Sequence, residues 1–418
     1  MNIQDSFPAL MLYIGFALVH KHSVQLGTEC MGAKQKEPET LKKIQVGIIG
    51  TGFMGRVHTE ALRRLGNIEV AGVAGSSKER ANRFADEVSI EFATGDYRRL
   101  IANPQIDAIH ICTPNDQHFE QTMASLAAGK HVLCEKPLAS SVEEGRQMLA
   151  LAKEKSVAHC TLYNVRSYPQ AQQMRQMRLS GELGEIRLVQ GTYSQDWLFY
   201  DTDWNWRIES GKSRTFADIG THWCDLAEYV TGQKITSLCA DLETFIKTRK
   251  KPKGPVETFQ GKDLRPDEYT EVPIDTEDFA AVMFAMGKTT RGSMTASQVS
   301  AGRKNRLFLE VYGTKCSVAW NAERPDELWI GRRDRRSEIL LKDSVLFEEK
   351  ARSFADLPGG HSEGYDDTFK QTFRRFYRRV ADPSAREEYP TFEDGIRQLQ
   401  VVDAVVGSSQ ERSWVNLP

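Results

Sequence analysis

The sequence predicts an α/β chain: a doubly wound parallel sheet at the N-terminal side, then an α+β domain built on a large, mainly antiparallel open sheet. Three observations predict it. Short apolar runs alternate with amphipathic helical patterns from Ile44 to Tyr163, the pattern of a parallel sheet covered on both faces. A glycine-rich turn, "GIIGTGFMG", follows the first of these runs and opens the first helical pattern. After residue 163 strand patterns follow one another directly, joined by short polar turns such as "GKTT" and "GTK", which points to antiparallel pairing.

In the first half the strands are "IQVGIIG" (44–50), "IEVAGVAG" (68–75), "DAIHICT" (107–113), "HVLCE" (131–135) and "AHCTLY" (158–163). Helical patterns occupy 54–65, 77–87, 116–128 and 141–155. Residues 44–163 are therefore expected as one domain and 164–418 as a second. In the second, a helix over 169–180 precedes strands at 186–194, 236–245, 279–286, 290–299, 306–313 and 316–320, and helices over 365–380 and 392–408 finish the chain. The basic stretches "TRKKPKG" (248–254) and "RRDRR" (332–336) read as solvated loops or turns. "FRRFYRR" (373–379) reads as an amphipathic helix with its arginines in water.

Residues 1–43 form an N-terminal extension. Its apolar run "FPALMLYIGFALVH" (7–20) is shorter than the ~20 residues of a membrane helix, and no Lys or Arg precedes it as a signal peptide requires. A mobile appendage, a weak membrane-associating helix, or translated upstream sequence with the start at Met31 would each account for it. The polar lead-in "MGAKQKEPETLKK" favours the last.

The 418 residues suit two or three domains at about 100–200 residues each. A net charge of -2 gives no electrostatic ground for nucleic acid or an anionic membrane as partner. The seven cysteines are scattered, with no CxxC pair. This argues against a disulfide framework or structural zinc and for a reducing, cytoplasmic location.

Gly50, Gly52 and Gly55 give G-x-G-x-x-G between a predicted strand and a predicted helix, the context of a Rossmann-type dinucleotide fingerprint. Gly50 permits the tight turn, Gly52 lets backbone approach a pyrophosphate, and Gly55 lets helix and strand pack. Thr51, Phe53 and Met54 complete this cofactor loop, whose bland alternative is a glycine turn with no ligand. At the end of the second strand, where an acid would hold the ribose 2′-OH of NAD, stand Gly75, Ser76 and Ser77, followed by Lys78 and Arg80. Hydroxyls and cations there lean towards NADP over NAD, unless Lys78 and Arg80 are only solvated residues of a helical turn.

A polar trio in "FADIGTHWCDL" completes the motifs. Asp218, His222 and Asp225 fall at i, i+4 and i+7, on one face of a regular helix. Alone, Asp218 is a helix N-cap and His222 a hydrogen-bonded helix residue. Metal ligation is geometrically open, but no further His or Cys cluster completes a site, so no metal is expected. Beside them Ile219, Trp223, Leu226 and Val230 form a stripe facing the core.

Taken together, "GIIGTGFMG", "TPNDQH" (113–118), "CEKPLA" (134–139) and "DIGTHWCD" resemble the glucose–fructose oxidoreductase / inositol dehydrogenase / rhizopine-catabolism family (Gfo/Idh/MocA). The resemblance runs from about residue 44 to the C-terminus. It implies that Lys136 is the catalytic lysine, with Asp218 and His222 as the family's aspartate and histidine. It implies that Thr113, Pro114, Asn115, His118 and Glu135, with Lys136, line the cofactor, and that the second domain binds substrate and forms oligomers. Asn164 and Arg166 stand where the family's substrate pocket begins. The missing acid after the second strand departs from the NAD-type pattern and resembles the NADP-using members. A looser likeness of "GTYSQDWL…DWNWR" and "LPGGHSEGYDDTF" points to a branch acting on sugars, anhydrosugars or glycosides.

The residue chemistry agrees. Oxidation of a hydroxyl needs a hydride acceptor, a proton acceptor and a group that steadies the alkoxide. NADP or NAD is the first, His222 the second and Lys136 the third, with Asp218 expected to orient the imidazole. Trp197, Trp204 and Trp206 offer sugar platforms or plain packing. Arg207, with Gln195, Asp196 and Asp203, offers hydrogen bonds to hydroxyls, and His361 lies in a glycine-rich loop that is either a pocket edge or a turn. The expectation is an NAD(P)-dependent dehydrogenase of a polyol, sugar, glycoside or inositol, a homodimer or homotetramer. Alternatives are a cofactor-recycling glycosidase and a non-catalytic sugar or cofactor sensor.

Overall fold

The computed structural model describes residues 43–209, 211–254 and 264–418. The expectations for the N-terminal run and for a start at Met31 lie outside the described residues.

The first domain runs β1 (Ile44–Ile49), α1 (Phe53–Arg63), β2 (Ile68–Ala74), α2 (Lys78–Glu87), β3 (Phe92–Thr94), α3 (Tyr97–Ile101), β4 (Ala108–Ile111), α4 (His118–Ala127), β5 (His131–Cys134), α5 (Val142–Lys155) and β6 (His159–Thr161). Its six strands are all parallel, in the order β3-β2-β1-β4-β5-β6. The order reverses between β1 and β4, which opens a ligand crevice at the carboxyl ends of these strands. Elements β3 and α3, three and five residues long, are too short for periodicity to reveal.

The second domain runs α6 (Pro169–Leu179), β7 (Ile186–Ser194), α7 (Thr221–Thr231), β8 (Ile235–Glu243), β9 (Thr248–Pro252), β10 (Tyr269–Pro273), β11 (Phe279–Met286), β12 (Thr290–Ser297), β13 (Arg306–Gly313), β14 (Ser317–Asn321), β15 (Glu327–Gly331), β16 (Glu338–Leu341), α8 (Glu349–Arg352), α9 (Tyr365–Ala381), α10 (Phe392–Glu411) and β17 (Val415–Asn416). Nine strands form one sheet in the order β16-β15-β14-β13-β7-β12-β11-β8-β17. All its pairs are antiparallel except β7 with β12. One face packs on α6, α7 and α10: Trp223, Leu226 and Val230 lie with Val189, Met294, Leu309 and Val311 in one core. The stripe that the sequence marks on α7 is buried, Ile219 included.

Two readings of the basic stretches are corrected. Residues 248–252 are strand β9, paired with β10, not a solvated loop. Arg249 is fully buried and, with Arg214, donates to the Asp278 carboxylate. The counter-charge lies 29 residues away in sequence, so the local charge run conceals it. In α9, Arg375 is buried rather than in water. Its guanidinium lies 3.2 Å from the Phe354 ring centroid and donates to Gln371 and to Ser353.

The last two long helices return to the first sheet. Phe369, Phe373, Phe376 and Tyr377 of α9 join the core of β1, β4 and α1. Phe392, Ile396 and Leu399 of α10 join the core on the opposite face, beside α5. Further along α10, Val401, Ala404 and Val405 join the core of the second sheet.

Candidate active site

The glycine turn is built as its spacing demands. Gly50 has φ +115, and a Cβ there would lie 2.5 Å from the Cys112 carbonyl oxygen. A Cβ at Gly55 would lie 2.1 Å from the Gly50 carbonyl oxygen, so only glycine lets α1 sit this close to β1. Gly52 faces open space, with nothing within 4 Å of where its Cβ would stand. No side chain caps α1, and no acid stands in its first turn. The start of α1 over Met54 and Gly55, the open approach at Gly52 and Thr51 beside it make a cradle that fits a dinucleotide pyrophosphate.

At the end of β2, Ser77 caps α2 and its Oγ accepts the Arg80 N–H at 3.2 Å. Ser76, Lys78 and Arg80 are exposed. The structure adds a group that the sequence reading passed over. Glu79 turns onto its own backbone N–H and the Ser77 hydroxyl, and these hold its carboxyl below the usual range. A carboxylate therefore does stand at this corner, one helical turn later than the fingerprint expects.

Thr113, Pro114 and Asn115 lie half-buried where β4 ends and a short turn over Asn115–Gln117 begins. His118 lies behind them, fully buried. Its ring nitrogens face the carbonyl oxygens of Pro137 at 2.7 Å and Thr113 at 3.0 Å. It braces the ends of β4 and β5 against each other instead of lining the crevice.

Lys136 stands just past β5 and meets the second domain directly. Its Nζ donates to Asp218 Oδ1 at 2.6 Å and to the Asp218 carbonyl at 2.7 Å. Gln298, at the end of β12, donates to Asp218 Oδ2 at 2.8 Å, and Arg207 Nε lies 3.3 Å from Oδ1. Burial opposes ionisation of Asp218, but Lys136 and Arg207 outweigh it and hold the carboxyl well below its usual range. Asp218 is thus an anion with both oxygens occupied. Among the described residues no hydrogen bond joins it to His222, so it aims the lysine, whereas the sequence had suggested that it orients the imidazole.

The cause is local. Phe216–Gly220 forms a π-helical turn ahead of α7, a form that widens one turn and is frequent at functional sites. The regular i, i+4, i+7 face does not survive it. Asp218 points at Lys136, whereas Asp225 pairs with Arg166: Arg166 Nε donates to Asp225 Oδ2 at 2.7 Å and its Nη2 to Oδ1. The same Nη2 donates to Asp394 at 2.8 Å. Arg166, expected among the substrate ligands, is buried and committed to these two carboxylates. Asn164 donates to Thr368 at 2.7 Å. The π turn is itself anchored by Glu277, whose carboxylate accepts from Ser213 Oγ and from the backbone N–H of Arg214 and Phe216. Gln298 and Glu277 carry no local motif, and sequence reasoning missed both.

His222 opens α7, buried, with its ring edge-on to Tyr163 at 5.5 Å and near Tyr193 at 6.3 Å. Its Nδ1 has no hydrogen-bond partner. Burial and then Lys136 push the imidazole down to about 3, against the pull of Asp218. The ring is neutral near pH 7, with a lone pair to offer. Among the described residues no group of three or more His, Cys, Asp or Glu gathers to hold a metal.

The aromatic segment 195–207 borders Asp218 through Arg207. The Arg207 guanidinium lies 4.5 Å from the Trp206 ring centroid, and Trp197 Nε1 donates to Gln195 at 2.8 Å. Trp204 is covered by Lys251 at 5.2 Å. Asp203 is buried and accepts the Tyr200 N–H at 2.8 Å, and Asp196 pairs with Lys304 at 2.7 Å, so both serve the fold of the loop. His361 is exposed in its turn, with Nδ1 3.3 Å from the Gly359 carbonyl.

Comparison with known proteins agrees with this geometry. Residues 44–163 match the oxidoreductase family with an NAD-binding Rossmann fold, and residues 171–319 match the GFO/IDH/MocA C-terminal domain. Levoglucosan dehydrogenase of Pseudarthrobacter phenanthrenivorans is 30% identical over 395 residues, 90% of this chain and 99% of that protein. A solved structure of levoglucosan dehydrogenase in complex with NADH and L-sorbose superposes with a TM-score of 0.81 at 29% identity, covering 90% of this chain and 99% of the other. An inositol dehydrogenase homologue from Azotobacter vinelandii, complexed with NADH and myo-inositol, gives 0.77 at 25% identity, over 90% and 98%. With the dinucleotide cradle, Lys136, Asp218 and His222 assembled in one crevice, the chain belongs to the Gfo/Idh/MocA family of NAD-binding oxidoreductases.

Proposed function

We propose that this enzyme reversibly oxidises a secondary hydroxyl of a sugar, anhydrosugar or related polyol. The observation that carries the reading is the Lys136–Asp218 pair, set beside a neutral, buried His222 at the strand ends above the glycine cradle. The bound nicotinamide would accept the hydride. Lys136, aimed by Asp218, hydrogen-bonds the reacting oxygen and stabilises the negative charge that develops on it. His222 takes the hydroxyl proton, its buried neutral ring presenting an Nδ1 with no hydrogen-bond partner among the described residues. Arg207, which reaches Asp218, and Trp206 against its guanidinium border the crevice wall and suit a polyhydroxylated ring, with an apolar face for its C–H surface and a guanidinium for its hydroxyls; Trp197 is proposed for the same surface. Arg166 shapes that wall from behind. Levoglucosan dehydrogenase as a relative supports the sugar class.

The cofactor reading leans to NADP, because Ser76, Ser77, Lys78 and Arg80 replace the acid at the end of β2. Glu79 is the group that opposes it. The open face of the nine-stranded sheet exposes Leu188, Met283, Trp329 and Ile339, which register on one side and favour a homodimer or homotetramer. No described helix is long and apolar enough to cross a membrane. The free thiols of the six described cysteines suit the cytoplasm.

A screen of sugars, inositols and glycosides with both cofactors, followed at the nicotinamide absorbance band, tests the proposal. Net reduced cofactor from a free sugar, without glycoside cleavage, is the expected result. Cleavage with no net reduction would replace it with a cofactor-recycling glycosidase, and no turnover on any of them with a sensor. Equal or tighter binding of NAD than of NADP would reverse the cofactor lean.

A further inference from the structure

Behind Lys136 a row of ionisable side chains crosses the first domain. Glu135 precedes the lysine, and its Oε2 accepts the Lys136 backbone N–H at 3.2 Å. Its Oε1 lies 3.1 Å from His58 Nε2, on α1. His58 Nδ1 lies 2.9 Å from His110 Nδ1, on β4. His110 Nε2 lies 2.8 Å from the Tyr377 hydroxyl, on α9. His58 and His110 are 0 % exposed and Tyr377 is 2 % exposed. Phe369 and Phe373 pack on His58, and Phe373 and Phe376 on His110. Nothing in the hydride-transfer chemistry uses His58, His110 or Tyr377, yet polar side chains in an apolar layer are costly unless every one is paired.

One proton arrangement pairs them all. In it His58 Nε2 donates to the Glu135 carboxylate and His58 Nδ1 accepts, so His110 Nδ1 donates. His110 accepts at Nε2, so the Tyr377 hydroxyl donates. Burial keeps His110 neutral and Tyr377 protonated, as this arrangement requires. The Cys112 thiol, kept protonated by burial, is a second neighbour of His58 Nδ1 at 3.2 Å.

We propose that His58, with its tautomer fixed by His110 and Tyr377, is a positioning residue that acts through Glu135 to set the backbone of Lys136. The chain makes α9, the helix that returns late in the sequence, part of the support of the catalytic lysine. The inference rests on the reading of Lys136 as the group that meets the reacting oxygen. It assigns a purpose to the histidine three residues after the glycine fingerprint.

His58→Leu, which removes the donor to Glu135, should lower kcat about 10- to 100-fold, the scale of a small misplacement of a reacting group. KM for substrate and Kd for both cofactors should stay within about threefold of the parent. His58→Gln, which keeps an N–H donor, should recover most of the loss. Tyr377→Phe, one oxygen smaller, should show the same split more weakly. In the parent enzyme, nitrogen NMR should find His58 protonated at Nε2 and His110 at Nδ1. A kcat for His58→Leu within twofold of the parent, losses shared equally by kcat and cofactor binding, or the opposite tautomers would overturn the proposal. If His58→Leu does not fold, Tyr377→Phe and the tautomers decide. Lys136→Met separates the two claims: turnover surviving there removes the reading beneath, whereas a dead Lys136→Met beside an unaffected His58→Leu removes only this inference.

Discussion

The two sides of the crevice hold their reacting groups by different physics. Lys136 stands at the end of a parallel strand buried on both faces, where neighbouring strands and helices fix the backbone. Asp218 and His222 stand on a π turn and the helix start after it, fixed by buried ions: Glu277 under the turn, Arg214 and Arg249 on Asp278, and Gln298 with Arg207 on Asp218 itself. A strand end follows from the hydrophobic pattern around it, whereas an ion-held turn depends on partners some 60 to 80 residues distant. The first side is therefore written locally and the second is not.

The largest predicted effect attacks the strand-end side. Lys136→Met should cut kcat by about a thousandfold or more, the scale of losing a donor at a developing oxyanion, while dinucleotide titration shows binding kept. Turnover within a few-fold of the parent would contradict the assignment. Next, Asp218→Asn keeps the shape but frees Lys136 of its anion. A loss of about 100-fold in kcat is expected, with a smaller change in KM, from initial rates over a substrate series. An unchanged kcat would mean that Lys136 needs no help from across the crevice.

The ion-held turn should break in stability before chemistry. Glu277→Ala leaves the N–H groups of Arg214 and Phe216 without their buried acceptor. It should cost about 3 kcal/mol, read from the denaturation midpoint, with turnover falling as the π turn relaxes. An equally stable variant would show that the turn holds itself. The smallest effect per residue is on acid stability. His110, His118, His131 and His159 on the first domain and His222 on the second all have depressed proton affinity through burial. Their stabilisation is complete above the unfolded value near pH 6.5 and is lost as the pH falls towards the folded values, to about 3 for His222. Each contributes a slope of about 1.4 kcal/mol per pH unit within its window. Urea unfolding at pH 7, 6 and 5 should show this loss, and His222→Gln should lessen the slope by one proton. A stability flat between pH 7 and 5 would mean that these rings do not stay neutral.

The sequence made most of this visible, for reasons particular to each element. Strands 186–194, 279–286 and 306–313 coincide with β7, β11 and β13 because alternation in a half-buried sheet is a strong period. Strand β9 was hidden because a buried arginine looks like a solvated one until its distant aspartate is seen. In the site, the fingerprint glycines and the lysine before Pro137 sit in local motifs. The division of labour between Asp218 and Asp225 was not legible, since spacing along a chain presumes an even helix and the π turn breaks that assumption. Arg166 shows the same limit, as its two carboxylates come from α7 and from the segment that opens α10, 59 and 228 residues away.

The return of α9 and α10 has a consequence in time. The first sheet is translated early, but on one face it lacks Phe369, Phe373 and Phe376, and on the other Phe392 and Ile396, until α9 and α10 have been made. The dinucleotide half therefore leaves the ribosome with both apolar faces partly bare, and its final packing waits for α9 and α10. A premature stop near the C-terminus would strike the oldest part of the molecule, and nucleotide binding would be among the first properties lost.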